Sequence, residues 1–445
     1  MADNTPDPQR PHLRRLVMFD AVMRSGSTGA AARLLGLSQP AVSDALSKLE
    51  AETGTKLLER GAGGSSGTAA GKLLHRRVAR MLRQIEQGIA RLAEADGAAI
   101  DTRAITRLLT TTQLRYHIAI AEHGSFRAAA RHLGIAEPTL HRTARDFERG
   151  LKVPLYRRHL RGMAATEPGS ALAVTLRVAL REIDQALAEI ASAQGLAEGR
   201  IAFGCLPMMP KQLVARAIGR MLRLHPGVEI EMEEGSYDTL MAALRNGTMD
   251  VVIGALRGDG AAPDLIETAL FEDPYVVVAR ATHRLARAAR IKDADLARQH
   301  WIIPPRGMPR YAAVQALFAR LPQRPGAVLE TSSLAMMTSA LAESDCLSVL
   351  SRSQAATQEF NANIAVLPVE LPWRRRVVGT TTRAGWLPTR IQRRFLSLVR
   401  QECRGMGAGT VPARGTSRMA ERIAPVPVLE ASTIPSPQLP SPRGR

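Results

Sequence analysis

Apolar residues recur at helical spacing near the start of the chain. A run of small residues from Ala30 to Leu35 is ended by Gly36, and another apolar stripe occupies residues 41–49. This pattern predicts three short helices, the last two close together because small side chains and a glycine allow a tight turn. The stripe of the first helix consists of Leu13, Leu16, Phe19 and Met23.

The same pattern returns 98 residues further on without a gap. Gly26 recurs as Gly124, and the four residues from Ala30 to Arg33 recur from Ala128. One register kept over this length indicates a duplicated structural unit. The other matched pairs are Leu35 and Leu133, Pro40 and Pro138, Glu50 and Glu148, Leu57 and Leu155, Arg60 and Arg158, Thr68 and Thr166, and Gly71 and Gly169.

The helix after the glycine turn is the candidate DNA reader of the first copy. Ser38 is placed to cap it, and Pro40 fits its first turn, where a missing N–H does no harm. Its outward positions are short or polar, as on a helix that faces base edges and phosphates, although a solvated helix face has the same pattern. The candidate contacts are Ser38, Gln39, Pro40, Ser43, Asp44, Ser47 and Lys48, with Arg60 beyond the helix.

Together these residues resemble the winged helix-turn-helix signature of LysR-type regulators. An ordered set of anchors is more specific than a short motif. The resemblance implies a bacterial transcription factor that binds double-stranded promoter DNA as a homo-oligomer, with RNA polymerase as a further partner. The anchors are Gly26-Ser27, Ala30 to Leu35, Leu37 to Ser43, Leu49-Glu50, Gly54, Leu57 to Arg60 and Thr68 to Gly71.

The second copy departs from this signature where the reader helix begins. Ala136-Glu137-Pro138 lacks the capping hydroxyl and places a carboxylate near the expected phosphate contact. A basic segment from Tyr156 to Arg161 favours phosphate contact instead. We expect both copies to engage DNA; retention of the second copy for packing alone is the alternative. Its candidate contacts are Thr139, His141, Arg142, Arg145, Arg157 and Arg158.

A long amphipathic segment follows each copy, over residues 68–97 and 166–196. In LysR-type proteins the corresponding linker helix pairs two subunits. Packing of the two segments against each other within one chain is the alternative. In that case a single chain would contain much of the unit that is a dimer elsewhere.

The second half of the chain switches to short β-prone runs separated by helical segments. This alternation predicts an α/β domain with largely parallel strands. The stretches His225 to Val228, Glu234 to Ser236 and Asp250 to Gly254 resemble the effector domain of LysR-type regulators, which implies a two-lobed fold of the type II periplasmic-binding-protein class. The β-prone runs are Ile201 to Cys205, Val228 to Met232, Val251 to Gly254, Tyr275 to Ala279 and Trp301 to Ile303.

The expected organisation is therefore two winged helix-turn-helix domains, each with a linker helix, followed by a two-lobed effector domain. Two crossover segments would form the hinge between the lobes. The expected ranges are 11–67 and 109–165 for the winged domains, 68–97 and 166–196 for the linkers, 199–270 with 369–403 for lobe one, 271–368 for lobe two, and 404–445 for a disordered tail.

A small-molecule effector is expected between the lobes. In open α/β folds, ligands bind beyond the carboxyl ends of strands, where loops and helix N-termini supply N–H donors. Arg306 is placed to pair with a carboxylate, with an ordinary surface arginine as an equal alternative. Thr331 to Ser333 have helix capping as an equal alternative. The candidate effector contacts are Leu206, Pro207, Met208, Met209, Ser236, Tyr237, Pro305, Arg306, Thr331, Ser332 and Ser333.

Composition narrows the function further. The 445 residues carry a net charge of +19, which favours a polyanionic partner such as nucleic acid. The three cysteines match no zinc or redox spacing, and neither a signal segment nor about 18 uninterrupted apolar residues occur, so we expect a cytoplasmic protein away from membranes. Phosphate-loop, metalloprotease and nucleophile-turn motifs are absent. We therefore expect a regulator rather than an enzyme, without metal or cofactor.

Overall fold

A computed structural model describes residues 10–61, 64–97, 100–159, 162–195, 199–207, 209–306, 308–356, 363–369, 371 and 376–405. Two similar helical units make up the first half. The first comprises α1 (Leu13–Ser25), α2 (Thr28–Leu35), α3 (Gln39–Thr53), β1 (Leu58–Gly61), β2 (Gly64–Gly67) and α4 (Ala69–Asp96). After α5 (Thr102–Leu108), the second comprises α6 (Thr111–His123), α7 (Phe126–Leu133), α8 (Glu137–Leu151), β3 (Tyr156–His159), β4 (Gly162–Ala165) and α9 (Glu167–Ala193).

Local chemistry sets the helix boundaries alike in both units. Ser27 and Ser125 cap α2 and α7 through their hydroxyls, and Gly36 and Gly134 end these helices in the left-handed conformation. Thr68 and Thr166 cap the long helices α4 and α9 in the same way. The predicted helices are therefore found at these positions, whereas these four caps and α5 were not predicted.

Gly71 and Gly169 explain one pair of matched anchors. Each lies in the first turn of a long helix, against the carbonyl of Leu57 or Leu155 at the strand before it. A Cβ at Gly169 would come within 2.5 Å of the Leu155 oxygen, and Gly71 approaches Leu57 still more closely. Only glycine lets the hairpin and the long helix lie this close together.

α4 and α9 pack against each other within the chain, in antiparallel orientation. Arg77 in the first half of α4 contacts Glu182 and Glu189 in the second half of α9. Gly88, later in α4, lies against Thr175 near the start of α9. One continuous apolar core joins both units through this pair of helices. Of the two linker arrangements considered from the sequence, the structure has the intrachain one.

Arg77 is completely buried between these helices. Its Nη1 donates to the carboxylate of Glu182 at 2.8 Å and to the amide oxygen of Gln185 at 2.7 Å. Its Nε and Nη2 donate to Glu189 at 3.2 and 3.0 Å. The same Nη1 reaches the carbonyl of Leu387, 2.9 Å away in the effector domain. A buried guanidinium is tolerated here because carboxylates and hydrogen bonds surround it.

Within the described residues, the effector domain contains a five-stranded sheet in lobe one and a three-stranded and a two-stranded sheet in lobe two, and each lobe has its own apolar clusters. Lobe one is formed by β5 (Arg200–Cys205), α10 (Lys211–Leu224), β6 (Glu229–Glu234), α11 (Tyr237–Arg245), β7 (Val251–Ala255), β8 (Leu265–Glu272), β14 (Val377–Arg383) and α16 (Arg390–Gly405). Lobe two is formed by β9 (Tyr275–Arg280), α12 (Asp293–Ala297), β10 (His300–Ile303), α13 (Pro309–Arg320), β11 (Gly326–Glu330), α14 (Leu334–Ala342), β12 (Ser348–Ser351), α15 (Arg352–Ala355) and β13 (Ile364–Val366).

The expectation of largely parallel strands is wrong for this domain. Within the described residues, β5 pairs with β6 and β7 in parallel, and β10 pairs with β11 in parallel. The other four pairings, of β14 with β7 and β8 and of β9 with β12 and β13, are antiparallel. Alternation of strands and helices cannot reveal the two pairings of β14, because this strand returns from lobe two, outside any strand-helix-strand unit.

No helix in the part of the chain that the structure describes is long and apolar enough to cross a membrane. The predicted tail falls almost wholly outside the described residues, which end at Gly405 within α16.

One buried histidine distinguishes the second unit from the first. His117 lies where the first unit has Phe19, and its ring nitrogens contact the Tyr156 hydroxyl at 2.9 Å and the Gly169 carbonyl at 2.8 Å. Burial lowers the pKa of His117 to about 4, against a weaker opposite effect of the bond to Gly169. The neutral ring is therefore the form that suits the folded unit.

This burial predicts an acid-sensitive second unit. In the unfolded chain His117 takes up a proton near pH 6.5, whereas in the folded unit it does so only near pH 4. The contribution of neutral His117 to folding stability is therefore complete above pH 6.5 and is lost as the pH falls toward 4. Between about pH 7.5 and pH 5 we expect the second unit to lose about 2 kcal/mol. Hydrogen exchange measured by mass spectrometry would localise this loss to α6 and α8. His117→Phe should remove the dependence; an unchanged pH profile in that variant would refute the assignment.

Candidate DNA interface and effector cleft

The first reader helix, α3, presents the predicted residues at the surface. The Ser38 hydroxyl accepts the Ala41 N–H at 3.4 Å, which confirms the predicted cap. Asp44 and Lys48 form an exposed ion pair of 2.8 Å one turn apart, so their charges largely cancel on the free protein. Ser38, Gln39, Pro40, Asp44, Ser47 and Lys48 are exposed and Ser43 is half-buried.

The second reader helix, α8, has no side-chain cap at Ala136, which confirms the predicted loss. His141 is half-buried, with its ring stacked on Phe126 at a centroid distance of 4.3 Å. It also faces Glu137, with 3.5 Å between the ring nitrogen and the carboxylate. His141 is therefore held by its own unit, whereas Thr139, Arg142 and Arg145 are exposed on α8 and Arg157 and Arg158 are exposed on β3.

A glutamate in each unit joins the reader helix to the hairpin behind it. The Glu50 carboxylate accepts the N–H groups of Leu57 and Leu58 at 2.9 and 3.3 Å. Glu148 makes the same bonds to the second hairpin, at 2.8 and 3.1 Å. The hairpin is thereby fixed relative to the helix in front of it.

The charged form of Glu50 is the one that braces the hairpin. Burial disfavours ionisation, but bonds from Lys56 and from the two backbone amides outweigh it and lower the pKa of the carboxyl. Sequence reasoning treated Glu50 and Glu148 only as matched anchors of the repeat. Their identical spacing from the following strand is the signal that could have revealed this role.

Three predicted residues of the two surfaces lie partly or wholly outside the described part of the chain. Arg60 lies on β1, but its side chain is not described, and Arg161 and Met208 fall outside the described residues altogether.

The strand directions bring the predicted effector residues to one region. In lobe one, β5, β6, β7 and β8 all end at the same edge, because β14 is antiparallel to both β7 and β8. In lobe two, β10, β11 and β12 share a direction and β9 runs against them. The chain leaves β8 at Glu272 and enters β9 at Tyr275, so the carboxyl edges of both lobes lie at the crossover.

Several predicted effector residues have structural roles at these strand ends. The hydroxyls of Ser236 and Ser333 cap α11 and α14. Thr331 accepts the Ser333 N–H at 3.1 Å, and the Tyr237 ring lies 3.5 Å below the Arg257 guanidinium. Pro207, Arg306 and Ser332 are exposed, Leu206 and Pro305 are half-buried, and Met209 is buried in the core of lobe one.

Leu206 and Met209 also line a cavity of about 220 Å³ at the end of β5, beside Lys211 and Glu234. A second cavity, of about 390 Å³, lies where α4 and α9 meet lobe one.

Comparison with known proteins identifies the family. The model for the bacterial regulatory helix-turn-helix protein of the lysR family matches residues 13–72 and again residues 111–170. The model for the LysR substrate binding domain matches residues 194–404. The chain belongs to the LysR family of transcriptional regulators. It is a DNA-binding regulator with an effector-binding domain, in a family whose members are regulators rather than enzymes.

Three characterised regulators illustrate the similarity. GalR, an HTH-type transcriptional regulator of Pseudomonas putida, is 29% identical over 397 residues, 89% of this chain and 98% of that protein. GbpR of Azospirillum brasilense is 27% identical over 268 residues, 58% of this chain and 77% of the relative. OxyR, a dual regulator of Escherichia coli, is 34% identical over 185 residues, 41% of this chain and 60% of the relative.

In this LysR-type regulator a buried ion pair ties the two crossovers together. Asp273, between β8 and β9, accepts Nη1 of Arg376, which precedes β14, at 2.5 Å. The Asp273 N–H donates to the Arg376 carbonyl at 2.7 Å. The carboxylate also accepts the Ser353 N–H at 2.9 Å and its hydroxyl at 2.6 Å, which attaches α15 of lobe two. Asp273 therefore joins both crossovers and α15 at one side chain.

Removing the charge of Asp273 should destabilise the regulator. In Asp273→Asn the buried Arg376 guanidinium loses the negative charge of Asp273, which should cost about 3 kcal/mol. Thermal or urea unfolding of the effector domain measures this loss. Asp264→Asn is the matched control, because Asp264 pairs with Arg245 at an exposed site and should matter by less than about 1 kcal/mol. Equal effects of the two variants would contradict the structural importance of the hinge pair.

Proposed function

We propose that this regulator carries two winged helix-turn-helix domains in tandem, that both bind promoter DNA, and that an effector binds between the two lobes. The repeated arrangement of an exposed reader helix braced to a hairpin by Glu50 or Glu148 carries the DNA-binding part. The match to GalR also supports the DNA-binding part, because an alignment over 89% of this chain must include part of both units.

Charge supports contact by the second unit. Arg142, Arg157 and Arg158 are exposed on its reader helix and hairpin, and the chain as a whole carries a net charge of +19. Arginines at these places suit phosphate contacts, which release counterions and make binding salt-dependent. The ring of His141, stacked on Phe126, leaves Arg142 and Arg145 as the main charged candidates on α8.

The effector site is proposed at the common carboxyl edge of the two lobes. Loops after β5 and β10 and the N-termini of α11 and α14 converge on the crossover, where free N–H groups can receive an anionic group. Arg306, exposed after β10, is the proposed partner of a carboxylate. The hydroxyl caps at Ser236 and Ser333 leave backbone amides and Arg306 as the proposed recognition groups.

A signal can pass from this site to the DNA-binding units through lobe one. Lobe one is attached to the linker helices by the bond from Arg77 to the Leu387 carbonyl, and lobe two is attached through the crossovers. An effector that binds one lobe arrangement more tightly shifts the population toward it, and only that difference in affinity can act. The proposed output is altered placement of the two units on the promoter.

Genomic footprinting of the full-length protein, combined with a thermal-shift screen of metabolites, tests this proposal. Protected promoters together with a ligand that alters the protection would support it. Absence of salt-sensitive binding to any genomic fragment would overturn the regulatory part.

Arg142→Ala should weaken DNA binding if the second unit contacts phosphates. We expect lower affinity in gel-shift titrations, and a slope of log affinity against log salt that is shallower by about 1. Arg400→Ala removes an equally exposed arginine from α16 and should change neither quantity. Unchanged binding by Arg142→Ala would favour a second unit kept for packing.

Arg306→Ala should reduce binding of a carboxylate effector by removing its cationic partner. The expected result is a smaller ligand-induced rise in melting temperature than in the parent protein. Arg287→Ala is the control: this exposed arginine follows β9, whose end lies at the opposite edge of lobe two. A ligand response abolished equally by both variants, or by neither, would argue against the assigned contact.

A further inference from the structure

The contacts between α4 and α9 are unlike at the two ends of the helix pair. The repeat relates Arg77 to Thr175, and it relates Glu182, Gln185 and Glu189 to Gln84, Gln87 and Arg91. At one end the buried guanidinium of Arg77 meets two carboxylates. At the equivalent end the repeat places a threonine, two glutamines and an arginine, so the described residues form no matching ion cluster there.

The equivalent end is also poorer in hydrogen bonds. The Thr175 hydroxyl donates to the Ala171 carbonyl of its own helix at 3.2 Å, not across the pair. The Gln84 amide oxygen is buried there without a partner. Thr175 instead lies against Gly88, where a Cβ would come within 2.9 Å of its Cγ2, so the two backbones approach closely at that point.

Pairing of like helices from two chains would lose this cluster altogether. Two α4 helices in the same register would place each Arg77 against Gln84, Gln87 and Arg91, so a buried cation would face another cation. Two α9 helices would place Thr175 against Glu182 and Glu189, so buried carboxylates would have no cation. Uncompensated buried charge is strongly unfavourable, and a single polar contact of this kind can therefore select the partner helix.

Arg80 strengthens the same preference. Its Nε donates to the second carboxylate oxygen of Glu182 at 2.5 Å. The repeat relates Arg80 to Val178. An α9 pair would therefore lack this cation as well, so both guanidinium partners of Glu182 come from α4 alone.

We propose that α4 and α9 of one chain are specified for each other by this charge pattern, so that one chain supplies both DNA readers and recognises two unlike half-sites. The statement about half-sites rests on the proposed DNA binding by both units. A symmetric dimer reads a palindrome because its two readers are identical. Here Asp44 and Ser47 are exposed on the first reader where Arg142 and Arg145 are exposed on the second, and Ser43 corresponds to the half-buried His141.

The pairing is tested by a disulfide between the helices of the full-length protein. In Gly88→Cys with Thr175→Cys, the two Cβ atoms would lie about 3.3 Å apart, close to the separation in a disulfide. Cys346→Ser removes the half-buried native thiol from the background. After mild oxidation, non-reducing denaturing gels should show a faster monomer. Covalent dimers from the double variant, or from Gly88→Cys alone, would overturn intrachain pairing.

The charge pattern is tested by hydrogen exchange. Arg77→Ala should speed exchange in both α4 and α9 by about tenfold or more, because Glu189 loses the Arg77 cation and Glu182 keeps only Arg80. Arg76→Ala is the control, since Arg76 is the exposed neighbour on the same helix. Equal exchange rates in the two variants would overturn the specifying role of Arg77.

The half-sites are tested by selection from random duplex DNA with the native chain. Recovered sites should contain two different half-sites in a fixed order. A variant with Ser43→His, Asp44→Arg and Ser47→Arg gives the first reader the side chains of the second and should recover a more symmetric site. Palindromic sites from the native chain would overturn the inference. Recovery of a single half-site, together with formation of the intrachain disulfide, would overturn DNA recognition by the second unit. The intrachain pairing of α4 and α9 would still be supported.

Discussion

The buried ion cluster around Arg77 is the interaction on which the arrangement of the chain depends. A guanidinium with no exposure is costly unless every donor has a partner, and here Glu182, Gln185, Glu189 and a carbonyl of lobe one provide them. The apolar contacts of α4 and α9 supply most of the attraction, but apolar surfaces pair without much discrimination. The ion cluster favours one register and the antiparallel direction of the two helices, and Arg77 joins α4, α9 and lobe one at one side chain.

The sequence was most informative where structure depends on near neighbours. Gly36 predicted the end of α2, and the contrast between Ser38 and Ala136 predicted which reader helix is capped. Contacts between distant residues were beyond such reasoning. Arg77 and Glu182 are 105 positions apart, and neither stands out from the other charged residues of two amphipathic helices. The antiparallel pairing of β14 escaped prediction for the same reason, because its neighbours precede it by a whole lobe.

The two units share the residues of their framework and differ in the residues on their surfaces and between α4 and α9. The bracing glutamates, the capping threonines and the glycines against the hairpins are the same in both. The reader surfaces and the facing sides of α4 and α9 are not. His117 in place of Phe19 is an exception within the core. Buried polar atoms need hydrogen-bond partners, and the Tyr156 hydroxyl and the Gly169 carbonyl provide them for its two ring nitrogens.

This division constrains how an effector could act. Because α4 and α9 form one core with both units, the readers cannot separate without breaking the apolar packing and the ion cluster. A ligand between the lobes has far less energy available than that rupture requires, since coupling energies are typically about 1–3 kcal/mol. The readers therefore move as one body relative to lobe one, or one chain moves relative to another. The bond between Arg77 and the Leu387 carbonyl lies at that boundary, where Gly247 of lobe one also lies against Val178 and Arg181 of α9, so a rotation there must shift these contacts while the helix pair stays intact.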